Sequence, residues 1–326
     1  MRRALQIASH GEIFTSPNPS VGAVIVAPDG RIIGEGFTST WGGPHAEVNA
    51  VRSVKEADRQ LLEESTIYVT LEPCSHQGKT PPCARMLLDV GIRKAVVGTL
   101  DPFPAVAGRG VAMLREGGVD VQVGLLGKEC RESNRRFMLS HALRRPYILL
   151  KWAQSADGYL AGQNGSQVKF STPLTQVLMH RERARVNAIL AGTGTILADD
   201  PQLTCRLWPD RELRPVILNG SGRIPSQAVV MQNPRKILFD KDISLPEMLS
   251  DLYEREKLIS LMVEGGAELL GSFLRAGLYD EIRVETSPHF LGAGIKAPEI
   301  PADLSGWRKK LTEVDGNSIV TLLRPV

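Results

Sequence analysis

A chain of 326 residues, 42% hydrophobic and 23% charged, has ordinary globular composition and the length of two domains. Its 39 basic and 36 acidic residues are interspersed, and with a net charge of +3 and no basic stretch interleaved with aromatics, no nucleic-acid partner is expected. No apolar run approaches the roughly 20 residues that span a bilayer, Met1-Arg2-Arg3 opens too polar a segment for a signal peptide, and four cysteines do not make a disulfide framework, so no membrane partner is expected and a cytoplasmic location is the default.

The first part alternates helix and strand. Residues 2–10 read as a helix and 21–26 as a buried strand, turned at Pro28-Asp29-Gly30 into a second strand over 31–35. His45 to Ala57 reads as an amphipathic helix with Val48, Val51 and Val54 on one face. A strand over 66–71 follows, then a helix that starts with Pro82 in its first turn, capped by Thr80, and ends at Gly91. Strands over 94–98 and 119–123 flank a helix over 110–116, and one long helix over 128–143 closes the unit. Its several arginines read as a solvated face. Arg144-Arg145-Pro146 marks the boundary, giving domains 1–145 and 146–326.

The second part opens with a strand over 147–152. Helices are expected over 173–184, 245–256 and 267–276, and strands over 188–192, 216–218, 236–239, 258–263, 281–286 and 318–323. The whole is an α/β protein without internal repeats.

The chemistry concentrates early. His45-Ala46-Glu47 is followed by Pro73-Cys74-Ser75-His76-Gln77-Gly78-Lys79-Thr80-Pro81-Pro82-Cys83. One imidazole and two thiolates can fill three corners of a Zn²⁺ tetrahedron, and an open fourth corner is the arrangement of a catalytic site. Glu47, two residues past His45, is placed to move protons. These are the parts with which nucleobase deaminases replace a ring amine by oxygen. The loop between the cysteines is longer than the usual Pro-Cys-x-x-Cys. A structural zinc site with His76 as fourth ligand is the competing reading. Cys130 and Cys205 read as reduced bystanders.

In the second part, Val263-Glu264-Gly265-Gly266-Ala267 and Ala191-Gly192-Thr193-Gly194-Thr195 each run from a strand through glycine. Either could present free amides to a phosphate, or simply end a strand. Neither is a full G-x-G-x-x-G, so a Rossmann fold is not supported. Asp199-Asp200-Pro201 is a metal or ribose contact or a helix cap, and Asp157-Gly158 is a turn by default.

Over essentially its whole length the sequence resembles the bifunctional riboflavin-biosynthesis deaminase–reductase family, RibD. The resemblance is carried by Ser16-Pro17-Asn18-Pro19-Ser20, Pro44-His45-Ala46-Glu47, Tyr68 to Cys83, Asp101-Pro102 and Gly108-Arg109-Gly110. Ser155-Ala156-Asp157-Gly158, Leu197-Ala198-Asp199-Asp200-Pro201 and Val263-Glu264-Gly265-Gly266 extend it through the second part. It implies an N-terminal cytidine-deaminase-like α/β/α domain that hydrolyses the amine of a diamino-pyrimidinone ribosylamino phosphate. It also implies a dihydrofolate-reductase-like α/β domain that uses NADPH to reduce the ribosyl group to ribityl. By the same resemblance one Zn²⁺ sits on His45, Cys74 and Cys83, and Glu47 shuttles protons. Asn18, His76, Lys79 and Asp101 contact the deaminase substrate. Arg183, Asp199, Leu203, Arg206 and Glu264 face the reductase substrate, with Arg183 and Arg206 charged to clamp phosphate. Thr195 and the run Gly266, Ala267, Glu268, Leu269, Leu270, Gly271 and Ser272 lie on the cofactor side. A homo-oligomer follows by resemblance only.

Three positions depart from the family pattern. Phe103 replaces an Asn. A Trp near the nicotinamide is replaced by Lys169, unless Phe170 takes its place after a one-residue shift. Gly220 stands where a Ser is usual. A deaminase with a non-catalytic second domain is therefore the alternative, with a zinc-stapled nucleotide-binding module and a tRNA deaminase as further rivals.

Overall fold

The computed structural model describes residues 1–76, 81–103, 106–208, 213–240 and 243–326. They form two compact units, Met1–Leu143 and Arg144–Pro325.

The first unit is built on a five-stranded sheet. Its strands are β1 (Gly22–Val26), β2 (Ile32–Phe37), β3 (Thr66–Val69), β4 (Lys94–Val97) and β5 (Asp120–Val123). Their order is β2-β1-β3-β4-β5, with β1 antiparallel to both neighbours and β3, β4 and β5 parallel. Helices α1 (Arg2–Ala8), α2 (Ala46–Ser53), α3 (Cys83–Asp89), α4 (Arg109–Glu116), α5 (Gly127–Ser133) and α6 (Arg135–Leu143) fill the connections.

Three helices differ from the expectation. The periodic stretch from His45 predicted a helix to Ala57 buried through valines. Instead α2 ends at Ser53 and buries Ala46, Glu47 and Ala50. The reason lies on β2: a Cβ on Gly36 would stand 2.3 Å from the Ala50 nitrogen, so only small residues on the helix meet glycine on the strand. The long closing helix is two helices, broken at Asn134 (φ −118°, ψ 28°). Asn134 Oδ1 accepts from Ser20 N–H at 2.8 Å and its Nδ2 donates to Ser20 O at 2.9 Å. That pairing holds the residue out of helical geometry. The start of α3 also differs: Pro82 is the N-cap rather than the first helical residue, and Thr80 and Lys79 lie outside the described residues.

The second unit carries an eight-stranded sheet in the order β10-β9-β8-β11-β6-β12-β15-β14. The strands are β6 (Tyr147–Gln154), β8 (Ala188–Gly192), β9 (Arg214–Asn219), β10 (Ile237–Asp240), β11 (Ser260–Val263), β12 (Glu281–Thr286), β14 (Arg308–Val314) and β15 (Asn317–Leu323). β7 (Tyr159–Ala161) and β13 (Ile295–Lys296) make a separate pair. From β10 to β12 every pairing is parallel, and β15 and β14 are antiparallel. Helices α7 (Pro173–Ala184), α8 (Thr193–Asp199), α9 (Leu245–Glu254) and α10 (Ala267–Arg275) complete the unit. Among them α8 was not foreseen.

Parallel strands covered on both faces need near-continuous apolar runs. Ile148, Leu150, Leu190, Val216, Leu261, Val263 and Ile282 supply them, packed with Leu252, Leu270 and Phe273 from the helices. Each such side chain contributes roughly 1.5–3 kcal/mol on burial. The bounds of α7 follow from local chemistry, since Thr172 and Thr175 form a reciprocal capping box ahead of Pro173. Edge strand β14 is exposed and carries Arg308, Lys309, Lys310 and Glu313, charges that discourage edge-to-edge pairing.

Candidate functional site

In the first unit, β3 runs out at Val69 and the chain reaches Cys74 four residues past Thr70. His45 is the N-cap of α2, and Cys83 is the first residue of α3. These elements bring His45 Nδ1 to 3.6 Å from Cys74 Sγ and 3.3 Å from Cys83 Sγ. All three donor atoms lie within 4.8 Å of one another. A tetrahedral ion about 2.0–2.1 Å from nitrogen and about 2.3 Å from sulfur separates N and S by about 3.6 Å. The donor set therefore fits Zn²⁺. Among the described residues no fourth His, Cys, Asp or Glu joins the three, and His76 is exposed outside the cluster, which removes the expected alternative of a four-ligand staple.

Electrostatics around the donors favour metal binding. A hydrogen bond from Cys83 holds the Cys74 thiol well down, to about 4, against burial, with His45 and the Cys83 backbone amide (N–H to Sγ 3.2 Å) assisting. The same bond, with burial and the Glu47 charge, pushes the Cys83 thiol up. His45 is raised by its bond to Cys74. The two sulfurs share one hydrogen bond beside His45, and metal binding displaces protons from such a donor set.

Glu47 is 3% exposed on the inner face of α2. Burial, then the Cys74 charge, pushes its carboxyl up to about 7. Asp101 is pushed up to about 6, by burial first and then by Glu72 and Cys74, while Phe103 N–H donates to it at 2.7 Å. Asn18 is half-buried in the turn before β1, and neither its side chain nor that of His76 hydrogen-bonds another described residue. Phe103, the departure from the family pattern, packs edge-on against His141 at 5.1 Å.

Sequence reasoning gave Glu72 no role. It is buried, and its two oxygens accept four backbone N–H groups, from Asp101, Gly108, Gly110 and Val111, at 2.9–3.1 Å. The one available signal was its position, since a carboxylate at the end of a buried strand must find donors.

In the second unit, β8 and β11 are parallel neighbours, so their two glycine switches meet: Gly266 N–H donates to Thr195 Oγ1 at 3.0 Å. Gly266 caps α10 with no side-chain partner, leaving amides of the first turn turned outward. Ala267 and Glu268 share that end. Leu269 lies further along, Leu270 and Gly271 are buried in the helix body, and Ser272 Oγ donates to Leu269 O at 2.7 Å.

Arg183 and Glu264 are brought together rather than left free. Arg183 Nε and Nη2 donate to the two Glu264 oxygens at 2.8 and 2.6 Å, and Nη1 donates to Thr204 O at 2.8 Å. Burial pushes Glu264 up, but Arg183 overrides it and the carboxyl lies below its usual range. Arg206 is exposed and pairs with no described residue. Leu203 is buried at φ +50°, and Asp199 is raised by burial. Two residues missed from sequence share this region. Lys151 on β6 is lowered by burial, against the pull of Glu264 and Glu285. His180 is lowered to about 4 by burial and then by Arg183 and Arg206, and its Nδ1 has no partner among the described residues. A lysine inside an otherwise apolar strand was the signal for Lys151.

Phe170 is buried, its carbonyl accepting from Asn317 Nδ2 at 2.9 Å, while Lys169 is exposed. Asp200 accepts from Val229 N–H at 2.8 Å and forms the left-handed cap of α8, the turn alternative among its expected roles. Asp157 accepts from Ser155 Oγ, Leu291 N–H and Gly292 N–H, which hold it down at about 2.

Residues 1–99 match the family model described as the zinc-binding region of cytidine and deoxycytidylate deaminases, and residues 146–321 match the RibD C-terminal domain. The chain is 38% identical over 324 residues to the riboflavin biosynthesis protein RibD of Aquifex aeolicus, covering 92% of this chain and 89% of that one. It is 36% identical to the RibD of Escherichia coli K12, covering 90% and 88%. Among solved structures, one from Thermotoga maritima, described as a diaminohydroxyphosphoribosylaminopyrimidine deaminase/5-amino-6-(5-phosphoribosylamino)uracil reductase, superposes with a TM-score of 0.87 at 34% identity, covering 100% and 97%. Acinetobacter baumannii RibD superposes with a TM-score of 0.87 at 33% identity, covering 99% and 97%.

Proposed function

The chain belongs to the RibD family and is a bifunctional deaminase–reductase of riboflavin biosynthesis, and from that premise we propose how its residues divide the two reactions. Residues 1–145 deaminate a diamino-pyrimidinone ribosylamino phosphate, and residues 146–326 reduce the ribosyl group of the product to ribityl. The observation that carries the first assignment is the convergence of His45, Cys74 and Cys83 at tetrahedral N···S spacing, with buried Glu47 beside them.

His45 Nδ1 and the two sulfurs would hold Zn²⁺, which when bound acidifies water towards neutrality. Glu47 would take a proton from the attacking water and return it to the departing amine. Its burial beside His45 and the two sulfurs places it where both transfers occur. Asn18, His76, Lys79 and Asp101 contact the substrate, Asp101 as a hydrogen-bonding partner in a half-buried wall.

In the second reaction NADPH, when bound, would supply the hydride, and this chain's residues would bind and orient it. The outward amides at the start of α10, with Thr195 beside them, suit the cofactor's phosphates. Gly266 to Ser272 is the cofactor-side run, of which Gly266, Ala267 and Glu268 make the accessible end. Arg183 fixes Glu264 towards the substrate, and Arg206 is the cation left to meet phosphate. Asp199 and Leu203 line the same side. Lys151, made easier to deprotonate by burial, is the proton donor that sequence reasoning could not name.

Interspersed charge and reduced cysteines support a cytoplasmic enzyme with a small-molecule substrate and no nucleic-acid partner. Among the described residues no helix is long and apolar enough to cross a membrane. A homo-oligomer is carried over from the family.

The test is a coupled assay on zinc-quantified protein, with and without NADPH, products identified by mass. Ammonia release with an NADPH-dependent gain of two hydrogens supports both assignments. Deamination alone would make the second unit non-catalytic, and neither reaction would overturn the reading.

A further inference from the structure

We propose that Glu72 is a positioning residue of the deaminase: its carboxylate ties the Asp101 backbone and the first turn of α4 to the loop that carries Cys74. The inference rests on the first unit being the deaminase.

Glu72 stands two residues before Cys74 and is 4% exposed. Oε2 accepts from Asp101 N–H at 3.1 Å and Gly108 N–H at 2.9 Å. Oε1 accepts from Gly110 N–H at 2.9 Å and Val111 N–H at 3.1 Å. Its own N–H donates to Thr99 O at 2.9 Å. Four donors on two oxygens require both oxygens to accept. A glutamine would turn an NH₂ group towards one pair of N–H donors, and an aspartate, one methylene shorter, cannot reach both pairs.

The glycines around it show that the junction is built for contact. A Cβ on Gly110 would stand 1.9 Å from the Pro73 carbonyl oxygen, so α4 abuts the peptide immediately before Cys74. Gly108, at φ +89°, turns its N–H to Glu72 from a backbone conformation that other residues rarely adopt. Gly108-Arg109-Gly110 therefore exists to meet Glu72 and Pro73, a use that its spacing alone did not disclose. One carboxylate thus fixes two things against each other: the Cys74 sulfur on the metal side and the Asp101 carboxylate on the substrate side. A displacement of a fraction of an ångström between them disturbs substrate placement with all three metal ligands still present.

The test compares wild type, Glu72→Gln and Glu72→Asp in full-length protein. Four readouts are taken: zinc per chain, the ligand-field spectrum of the cobalt-substituted protein, KM and kcat of deamination separately, and the reductase rate of the same chain as an internal control. The expected result for Glu72→Gln is one zinc per chain, an unchanged reductase rate, a shifted cobalt spectrum, and a rise in deamination KM of about tenfold to about a hundredfold that exceeds the fall in kcat. If Glu72→Gln does not fold, Glu72→Asp, which keeps the charge and one pair of bonds, carries the test: a raised KM with a shifted spectrum supports the proposal, and wild-type KM overturns it. Either variant that is merely less stable, with KM, kcat and spectrum of the folded protein unchanged, overturns the proposal. Wild-type protein that does not deaminate removes the deaminase reading itself, whereas active wild type with indifferent variants removes only this inference.

Discussion

Replacing Asn134 by alanine probes how a single side chain, far away in sequence, shapes the deaminase unit. Asn134 is 7% exposed, and its amide makes two hydrogen bonds to the backbone of Ser20 across 114 residues, at 2.8 and 2.9 Å. Alanine strands a buried N–H and a buried C=O on Ser20. Each stranded group costs roughly 1–3 kcal/mol, and a water entering the vacated space recovers part of the sum, so a loss of about 2–4 kcal/mol is expected. In a unit of this size that lowers Tm by roughly 5–15 °C. Alanine also favours helix at a residue that now breaks one, so α5 and α6 would tend to merge and draw away from Ser20. Ser20 lies two residues after Asn18, so deamination KM should rise with the loss of stability. The assay is calorimetry alongside both activities measured after graded heating. Asn134→Asp, which keeps the acceptor and loses the donor, should fall between wild type and alanine. The reasoning fails if Asn134→Ala melts within about 1 °C of wild type, or if the reductase activity is lost before the deaminase activity.

Cys83→Ser, or treatment with a strong chelator, should lower zinc from one per chain and abolish deamination while leaving reduction intact; metal analysis with both rates decides. Glu47→Gln should keep the zinc and cost about 10²–10⁴ in deamination kcat, and near-normal turnover would remove Glu47 from proton transfer. Arg183→Met leaves the Glu264 charge buried without its partner, so the second unit should lose about 3–5 kcal/mol in urea unfolding, with reductase KM raised and deamination unchanged. His141, held down at about 4 by burial, should make the first unit pH-sensitive. Its folded pKa lies below the unfolded value, so the unfolded state binds more protons between them. Stability should be full above about 6.5 and fall as pH drops towards 4. His141→Phe should flatten that fall in urea midpoints measured at several pH values.

What could be read from the sequence was what local chemistry dictates. The helix read from Pro173 is α7, and alternating or continuous apolar runs set β8 and β12. The metal donors were legible because few residue types bind zinc and their identity survives without geometry. Glu47 was legible through its spacing from His45. Only the tertiary structure showed that Nδ1 is the ring nitrogen facing the sulfurs, and that no fourth ligand joins them among the described residues.

Other features depended on partners distant in the chain. The face of α2 is decided by glycine on β2, and the break at Asn134 by a serine in another element. Arg183, expected to clamp phosphate, is held by Glu264 across 81 residues, and Glu72 is satisfied by amides 29 to 39 residues away. Residue type and period are properties of a segment, so the sequence by itself determined most of the strands and the metal donors, and its family resemblance implied the two reactions. Which buried charge meets which donor depends on loop closure between elements with no sequence relation, and that only the folded chain decided.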